Sequence, residues 1–216
     1  QTDGRQLVFL ATRKGMGIVF AGEAIRSLGR IAAGVKGIRL RSGDAVIGAD
    51  IIDPTKTLAV VTEKGYGKCL KPSDLHVQKR GGMGNRIHKV TEKTGDIAGV
   101  DIVSEEEEIM LITSEGTVIR LRVKNVSVLG RYTQGVKMMN LADGITVASM
   151  AVVTKDILEQ EGDALQEEGV VYAIPEAADP EDLLEEEEEE MNEVEMEEED
   201  EEMDEDLTEE EYGVDD

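Results

Sequence analysis

Lysine and arginine carry the clearest chemical signature in this sequence, because they recur at matched places. Arg13 and Lys14 are answered by Lys64, Arg30 by Arg80 and Arg131, and Lys36 and Arg39 by Arg86 and Lys89. Lys68, Lys79 and Lys137 complete the candidate set. Cations presented at regular intervals along a rigid edge suit a phosphate backbone, since such contacts are Coulombic and read no bases. Any one of them alone is an ordinary charged turn; repetition turns them into a stripe. The densest local group is Gln78, Lys79, Arg80, Gly81, Gly82, Met83 and Gly84, where two cations meet glycines that let a backbone approach a phosphate closely.

Other chemistries fare worse. Arg131-Tyr132-Thr133 places a tyrosine beside an arginine, as a DNA-cleaving transesterase does. Tyr132, however, takes the repeat position of Ile31 and Gly81, which makes it a turn residue. Ser73, Asp74 and His76 are crowded in sequence, whereas a hydrolytic triad is assembled by the fold. Cys69 is the single cysteine and excludes an internal disulfide, and with two histidines there is no zinc-ligand spacing. His88 and Cys69 lack partners in the sequence, and Glu105 to Glu108 read as a solvated loop before a strand. No catalytic residue and no metal site are assigned.

The elements that must position the cations follow from a repeat. Val8-Phe9-Leu10-Ala11-Thr12-Arg13-Lys14-Gly15 recurs as Ala59-Val60-Val61-Thr62-Glu63-Lys64-Gly65 and as Met110-Leu111-Ile112-Thr113-Ser114-Glu115-Gly116, with the glycines 50 and 51 residues apart. Gly34, Gly84 and Gly135 follow at 19 residues, each preceded four residues earlier by Arg30, Arg80 or Arg131. Each unit ends on a turn and an apolar run, as in Gly43-Asp44-Ala45-Val46-Ile47, Gly95-Asp96-Ile97-Ala98-Gly99 and Asp143-Gly144-Ile145-Thr146-Val147. Short runs of Val, Ile, Leu and Thr broken by glycine turns predict hairpins, and no long stretch has a helical period. A unit with roughly four strands is one propeller-like blade, which buries its apolar faces by stacking on its neighbours. The expected fold is all-β, with blades over about 5–54, 55–104 and 105–153 within residues 1–155. Aromatic residues make up only 3% of the chain, so the core must be aliphatic.

Charge divides the chain at Lys155. Up to that residue 23 Lys and Arg face 16 Asp and Glu, a net +7, while Asp156 to Asp216 carry 32 carboxylates and no Lys or Arg. Residues 156–175 read as a short terminal segment, with a helix from Asp156 to Tyr172 or a last strand at Val170 to Ile174 both open. Residues 176–216 cannot bury enough apolar surface to fold and read as a disordered acidic tail. No apolar run approaches the roughly 18 residues that span a bilayer, and Gln1-Thr2-Asp3-Gly4 is not a signal peptide start. A cytoplasmic setting is expected, and the absence of an initiator Met suggests a piece of a longer protein.

Several ordered motifs resemble a known family. Thr62-Glu63-Lys64-Gly65-Tyr66-Gly67-Lys68, Lys89-Val90-Thr91-Glu92-Lys93, Ile109-Met110-Leu111-Ile112-Thr113 and Val128-Leu129-Gly130-Arg131-Tyr132-Thr133-Gln134-Gly135-Val136-Lys137 are similar to the closing blades in the C-terminal domains of DNA gyrase A subunits, over about Leu7 to Val153. The resemblance implies a six-bladed β-pinwheel with a basic rim that wraps duplex DNA, of which these are the last three blades. It implies a role in negative supercoiling by a type II topoisomerase driven by ATP hydrolysed on the gyrase B subunit. It also implies an A-subunit homodimer joined through an N-terminal part, and a nucleoid-associated place in the cytoplasm with no membrane partner. Gln78 to Gly84 is similar to the family box Gln-Arg-Arg-Gly-Gly-Lys-Gly, departing from it at Lys79 and Met83 and falling in a later blade. The family's cleavage tyrosine and magnesium-binding groups lie upstream, so this stretch is non-catalytic and needs no cofactor of its own; Mg and ATP serve the holoenzyme. An acidic tail also occurs in some of these subunits, where it tunes wrapping. The charge segregation itself suggests a tail that folds back on the rim as a tethered phosphate mimic. The corresponding domains of topoisomerase IV share the blades, and a blade-repeat scaffold for proteins is the alternative from another class.

Overall fold

The computed structural model describes residues 3–154 and 157. These lie in the first of two compact units, Gln1–Ala178. Apart from Ile157, the segment 156–175 and the acidic stretch 176–216 lie outside the described residues.

Among the described residues the elements are eleven strands and three single 3₁₀ turns. The strands are β1 Leu7–Thr12, β2 Met16–Ala21, β3 Val46–Ile51, β4 Thr57–Thr62, β5 Tyr66–Leu70, β6 Asn85–Arg86, β7 Ile97–Val103, β8 Glu108–Thr113, β9 Val118–Arg122, β10 Val136–Lys137 and β11 Val147–Val153. They form three antiparallel sheets in the orders β3-β1-β2-β6, β10-β5-β4-β7 and β11-β8-β9. The architecture is all-β, as the repeat predicts.

One local device opens each repeat. The first two strands are joined by a four-residue turn whose closing glycine donates its N–H to a threonine carbonyl: Gly15 to Thr12, Gly65 to Thr62 and Gly116 to Thr113. The same threonine hydroxyls accept from Met16, Tyr66 and Thr117 at 3.1–3.3 Å. Each turn glycine has φ between 81 and 91°, a left-handed conformation open to glycine at little cost. Thus Thr12, Thr62 and Thr113 are buried polar residues with their hydroxyls satisfied.

The sheets are not coextensive with the sequence repeats. The fourth strand of the first sheet, β6, belongs to the second repeat, and that of the second sheet, β10, belongs to the third. After each 3₁₀ turn, at Pro72–Asp74 and Val123–Asn125, the chain crosses to the preceding sheet. It makes a parallel bridge there, Val77 with Val19 or Val128 with Cys69, and then reverses into an antiparallel pair. The pairs are Met16 with Arg86 and Gly17 with Asn85, then Tyr66 with Lys137 and Gly67 with Val136.

This exchange requires backbones in direct contact. A Cβ on Gly84 would stand 2.5 Å from the Gly17 carbonyl oxygen, and one on Gly135 would stand 2.6 Å from that of Gly67. Both glycines have positive φ, 78 and 72°. The receiving glycines are equally constrained, since a Cβ on Gly17 would meet Ile87 at 2.7 Å.

The core lies between the sheets. Phe9, Ala11 and Val19 of the first sheet pack with Leu58, Val60 and Leu70 of the second, and the exchanged arm adds Leu75 and Ile87. The next layer repeats this with Ala59, Val61 and Cys69 against Ile109, Leu111 and Leu121, and the arm adds Val126 and Met138. Each fully buried large aliphatic side chain contributes about 1.5–3 kcal/mol. Phe9, Phe20 and Tyr132 are the buried aromatic residues among those described, and aliphatic side chains make up most of the remaining core.

Replacing Gly84 or Gly135 by alanine is expected to cost about 3 kcal/mol, because positive φ and a backbone collision coincide there. Chemical denaturation would show this, whereas Gly43→Ala, also at positive φ but with nothing within 4 Å, should cost less.

Candidate nucleic-acid interface

The structure sorts the candidate cations into three groups. Arg13, Lys14, Arg30, Lys36, Arg39, Lys64 and Lys79 are exposed, Arg80, Arg86, Lys89 and Lys137 are half-buried, and Lys68 and Arg131 are buried.

Two of the exposed sets are built alike. Arg13 and Lys14 occupy the β1–β2 turn, and Arg86 is paired across from Met16, the first residue after it. Lys64 occupies the β4–β5 turn, and Lys137 is paired across from Tyr66. Lys93 adds a cation 5.5 Å from the centre of the Tyr66 ring. The strand exchange therefore places a cation from one repeat beside the turn cations of the repeat before it, twice. Neighbouring polar groups fix these turns: Lys14 Nζ pairs with Asp96 at 2.8 Å, and the Lys64 ammonium donates to the Glu92 carbonyl. The N–H of Lys89 bonds to the Thr133 carbonyl at 3.1 Å, which ties the first set to the third repeat. In the third turn Ser114 and Glu115 replace the cations.

A second cationic region surrounds Gln78 to Gly84. Gln78 N–H bonds to Val19 O at 2.8 Å, Gly81 N–H to Gly37 O at 2.8 Å, and Arg39 N–H to Gly82 O at 2.7 Å. The Arg80 guanidinium donates to the carbonyls of Ala24 and Lys36. The glycines have conformational reasons here, at Gly81 with φ 87° and at Gly84 against Gly17. Lys79 is the exposed cation of the loop, with Arg30, Lys36 and Arg39 exposed on the first repeat's arm.

Two residues in the candidate set are corrected. Lys68 is 0% exposed, and its ammonium donates to the carbonyls of Gly130, Arg131 and Thr133 and to the Thr133 hydroxyl, at 2.5–3.1 Å. A buried ammonium with four oxygen acceptors is a clasp on the third repeat's arm and is closed to a polyanion. The signal was available, since the repeat aligns Lys68 with Ile18 and Ile119, both apolar. Arg131 is also buried, its guanidinium 4.5 Å from the centre of the Tyr132 ring. Tyr132 is a turn residue as expected, though a buried one.

The Glu105 to Glu108 run divides in two. Glu105 and Glu106 are exposed, while Glu107 and Glu108 are buried. Glu107 accepts from Ser104 N–H and pairs with Lys56 at 3.4 Å, and Glu108 pairs with Arg120 at 2.8 Å and Arg122 at 3.7 Å. The last two of these glutamates are therefore buried ion-pair partners at the start of β8.

The remaining reactive groups are quiet. Burial pushes the Cys69 thiol up to about 11. Burial, and then the neighbouring Lys68 charge, hold His88 well below its ordinary value, so it stays neutral, and neither ring nitrogen has a hydrogen-bond partner. Ser73 Oγ touches Asp74 at 3.3 Å while His76 is exposed, which is no triad. Burial, and then the neighbouring Asp50, raise the Asp101 carboxyl above its ordinary range. Among the described residues no three His, Cys, Asp or Glu side chains are grouped to hold a metal, and no helix is long and apolar enough to cross a membrane.

A family model of the DNA gyrase C-terminal domain, a beta-propeller, matches residues 6–53, 56–104 and 107–154. The DNA gyrase A subunit of Staphylococcus epidermidis (strain ATCC 12228) is 41% identical over 157 residues, covering 72% of this chain and 18% of the relative. That of Staphylococcus aureus (strain MRSA252) is 38% identical over 164 residues, covering 75% and 18%. The chain thus spans less than a fifth of these relatives. Among solved structures, the C-terminal domain of a DNA topoisomerase IV aligns with TM-score 0.69 at 25% identity, covering 76% of this chain and 51% of that one. A DNA gyrase A C-terminal domain aligns with TM-score 0.64 at 27% identity, covering 69% and 51%.

Lys68→Ala is expected to strand the carbonyls of Gly130, Arg131 and Thr133 and to lower stability by about 3 kcal/mol. Equilibrium unfolding checks the loss. At temperatures where the variant remains folded, DNA affinity should be unchanged, which separates a clasp from a phosphate contact.

Proposed function

Because the chain belongs to the DNA gyrase C-terminal-domain beta-propeller family, we propose that it binds and bends duplex DNA along the hairpin-turn edge of its stacked sheets. The observation that supports this reading is the repeated placement of Arg13, Lys14 and Arg86, then Lys64 and Lys137, at equivalent turns of successive sheets. A rigid array with cations at one-blade intervals offers a duplex a curved series of phosphate contacts, and each contact releases a condensed counterion. Bending costs on the order of 1–6 kcal/mol over a short site, a cost that several phosphate contacts made at once would offset. Lys79, Arg30, Lys36 and Arg39 form a second exposed cationic region around the box-like loop.

In the intact assembly the wrapped segment is presented to an ATP-dependent type II topoisomerase containing the gyrase B subunit and an A-subunit homodimer, in the cytoplasm. Mg and ATP act on other parts of that assembly. A role in topoisomerase IV is the second reading, favoured by the structural likeness to that enzyme's domain; a supercoiling assay on the whole assembly distinguishes the two.

Fluorescence anisotropy with a mixed-sequence duplex at several salt concentrations tests the binding. About six phosphate contacts predict a log–log slope of about −5, and Lys64→Ala should flatten it by about one. A slope near zero would instead point to a protein-binding scaffold. The 32 carboxylates of Asp156 to Asp216 act as a competing polyanion tethered to the same chain. Deleting Glu176 to Asp216 should tighten DNA binding at low salt, and the gain should fade as salt rises.

A further inference from the structure

Two polar residues of the second repeat stand where the other repeats are apolar, and the fold brings them together. Counted from the turn glycines, Lys68 takes the place of Ile18 and Ile119. Counted from Gly34, Gly84 and Gly135, His88 takes the place of Ile38 and Met139. In the first repeat Ile18 and Ile38 pack in one apolar cluster, and in the third Ile119 and Met139 share another. In the second repeat this apolar pair has become a lysine with a histidine beside it, and both are buried, Lys68 0% and His88 1% exposed.

Hydrogen bonding treats the two side chains unequally. The Lys68 ammonium has four oxygen acceptors, all on Gly130, Arg131 and Thr133 of the third repeat's arm. Neither ring nitrogen of His88 has a hydrogen-bond partner. The backbone around the ring is nonetheless fixed on both sides. The His88 N–H bonds to the Gly15 carbonyl at 3.4 Å, and the N–H of Lys89 bonds to the Thr133 carbonyl at 3.1 Å. That Thr133 oxygen also accepts from the Lys68 ammonium at 3.0 Å, so the segment bearing His88 and the Lys68 clasp hold the same atom.

The charged residues on the segments around the ring are mainly cations. Lys68 comes from β5, Arg131 from the third repeat's arm, Arg13 and Lys14 from the β1–β2 turn, and Arg86 and Lys89 from the arm of His88 itself. Of the carboxylates on these segments, Asp96 pairs with Lys14 and Glu92 is exposed. A neutral imidazole suits such a place. A protonated one would carry N–H donors at both nitrogens and a charge of the same sign as Lys68, while the oxygens that clasp Lys68 are already in use.

We propose that His88 is an acid-sensitive latch on the third repeat's arm: a proton taken up by its ring sets a second buried cation beside Lys68, and the clasp on Gly130, Arg131 and Thr133 releases. Local opening at the clasp is enough to bring water to both cations. The same arm carries Lys137 to its place opposite Tyr66, so release also withdraws a cation from the turn of Lys64. The latch is built from buried groups and does not depend on what the exposed cations bind.

Burial, and then the Lys68 charge, hold His88 below its ordinary value of 6.5 in the closed chain, so the opened form takes up the proton first. Attachment of the arm is therefore complete above about pH 6.5 and weakens as pH falls, by up to about tenfold in the closing equilibrium for each unit of pH.

Hydrogen exchange of the 216-residue chain without DNA, read by mass spectrometry on peptides covering 128–137 and corrected for the intrinsic pH dependence of exchange, tests the latch. Opening of this segment should rise about tenfold between about pH 6.5 and pH 5.5. With His88→Met, the residue that the third repeat carries at this place, the rise should vanish. The chain has two histidines, so ring signals in an NMR titration are assigned with His76→Gln, and the His88 ring should stay neutral in the closed form at about pH 6. This titration needs no change at position 88 and decides the matter even where His88→Met does not fold. Corrected exchange that is the same at both pH values, a rise that persists in His88→Met, or a His88 ring that protonates at its ordinary pH while the arm stays protected would each overturn the latch.

Discussion

Backbone runs directly against backbone where one repeat hands a strand to the sheet before it, and the rest of the molecule is arranged around that approach. Gly84 over Gly17 and Gly135 over Gly67 bring main chains closer than any side chain would allow. The main-chain hydrogen bonds they admit, Ile87 and His88 to Gly15 and Met138 and Met139 to Gly65, join one turn to the following repeat. The apolar layers then close around the crossing arm, with Leu75 and Ile87 in one and Val126 and Met138 in the next. Removing the close approach would expose both layers together, because the arm belongs to the layer it crosses.

The same crossing decides which charges face outward. Arg86 and Lys137 reach the turn edge because the strands that bear them are donated to that edge. Lys68 and Arg80, by contrast, are spent on carbonyls of neighbouring arms, Lys68 in full burial and Arg80 at the box-like loop. A basic sequence is thus divided between cations that hold the arms down and cations carried to the turn edge. Burial of Lys68 is tolerable because four oxygens replace the water it loses, whereas His88 beside it avoids the cost by remaining neutral.

Much of this is legible in the residues. The threonine and glycine of each opening turn recur with the apolar alternation around them, and the hairpins follow from those local rules. The strand exchange is not legible in this way. β6 and β10 are two residues long, and their partners are some seventy residues away, so no local period announces them. The repeats therefore read as self-contained blades, and the box-like glycines as openings for phosphate, when two of them answer to φ and close approach. Lys68 and Glu108 mislead for a related reason: charge suggests water, while their places in otherwise apolar strands imply burial with a partner.

Strand donation also gives synthesis a direction. Emerging from a ribosome, the first sheet has its own three strands once Ile51 is out, yet its fourth arrives only with Asn85 and Arg86. Until then Phe9 and Val19 lack Leu75 and Ile87 to cover them. The first two sheets are thus each completed by the translation of the following repeat, and a nascent chain paused between repeats would present an uncovered apolar face to chaperones.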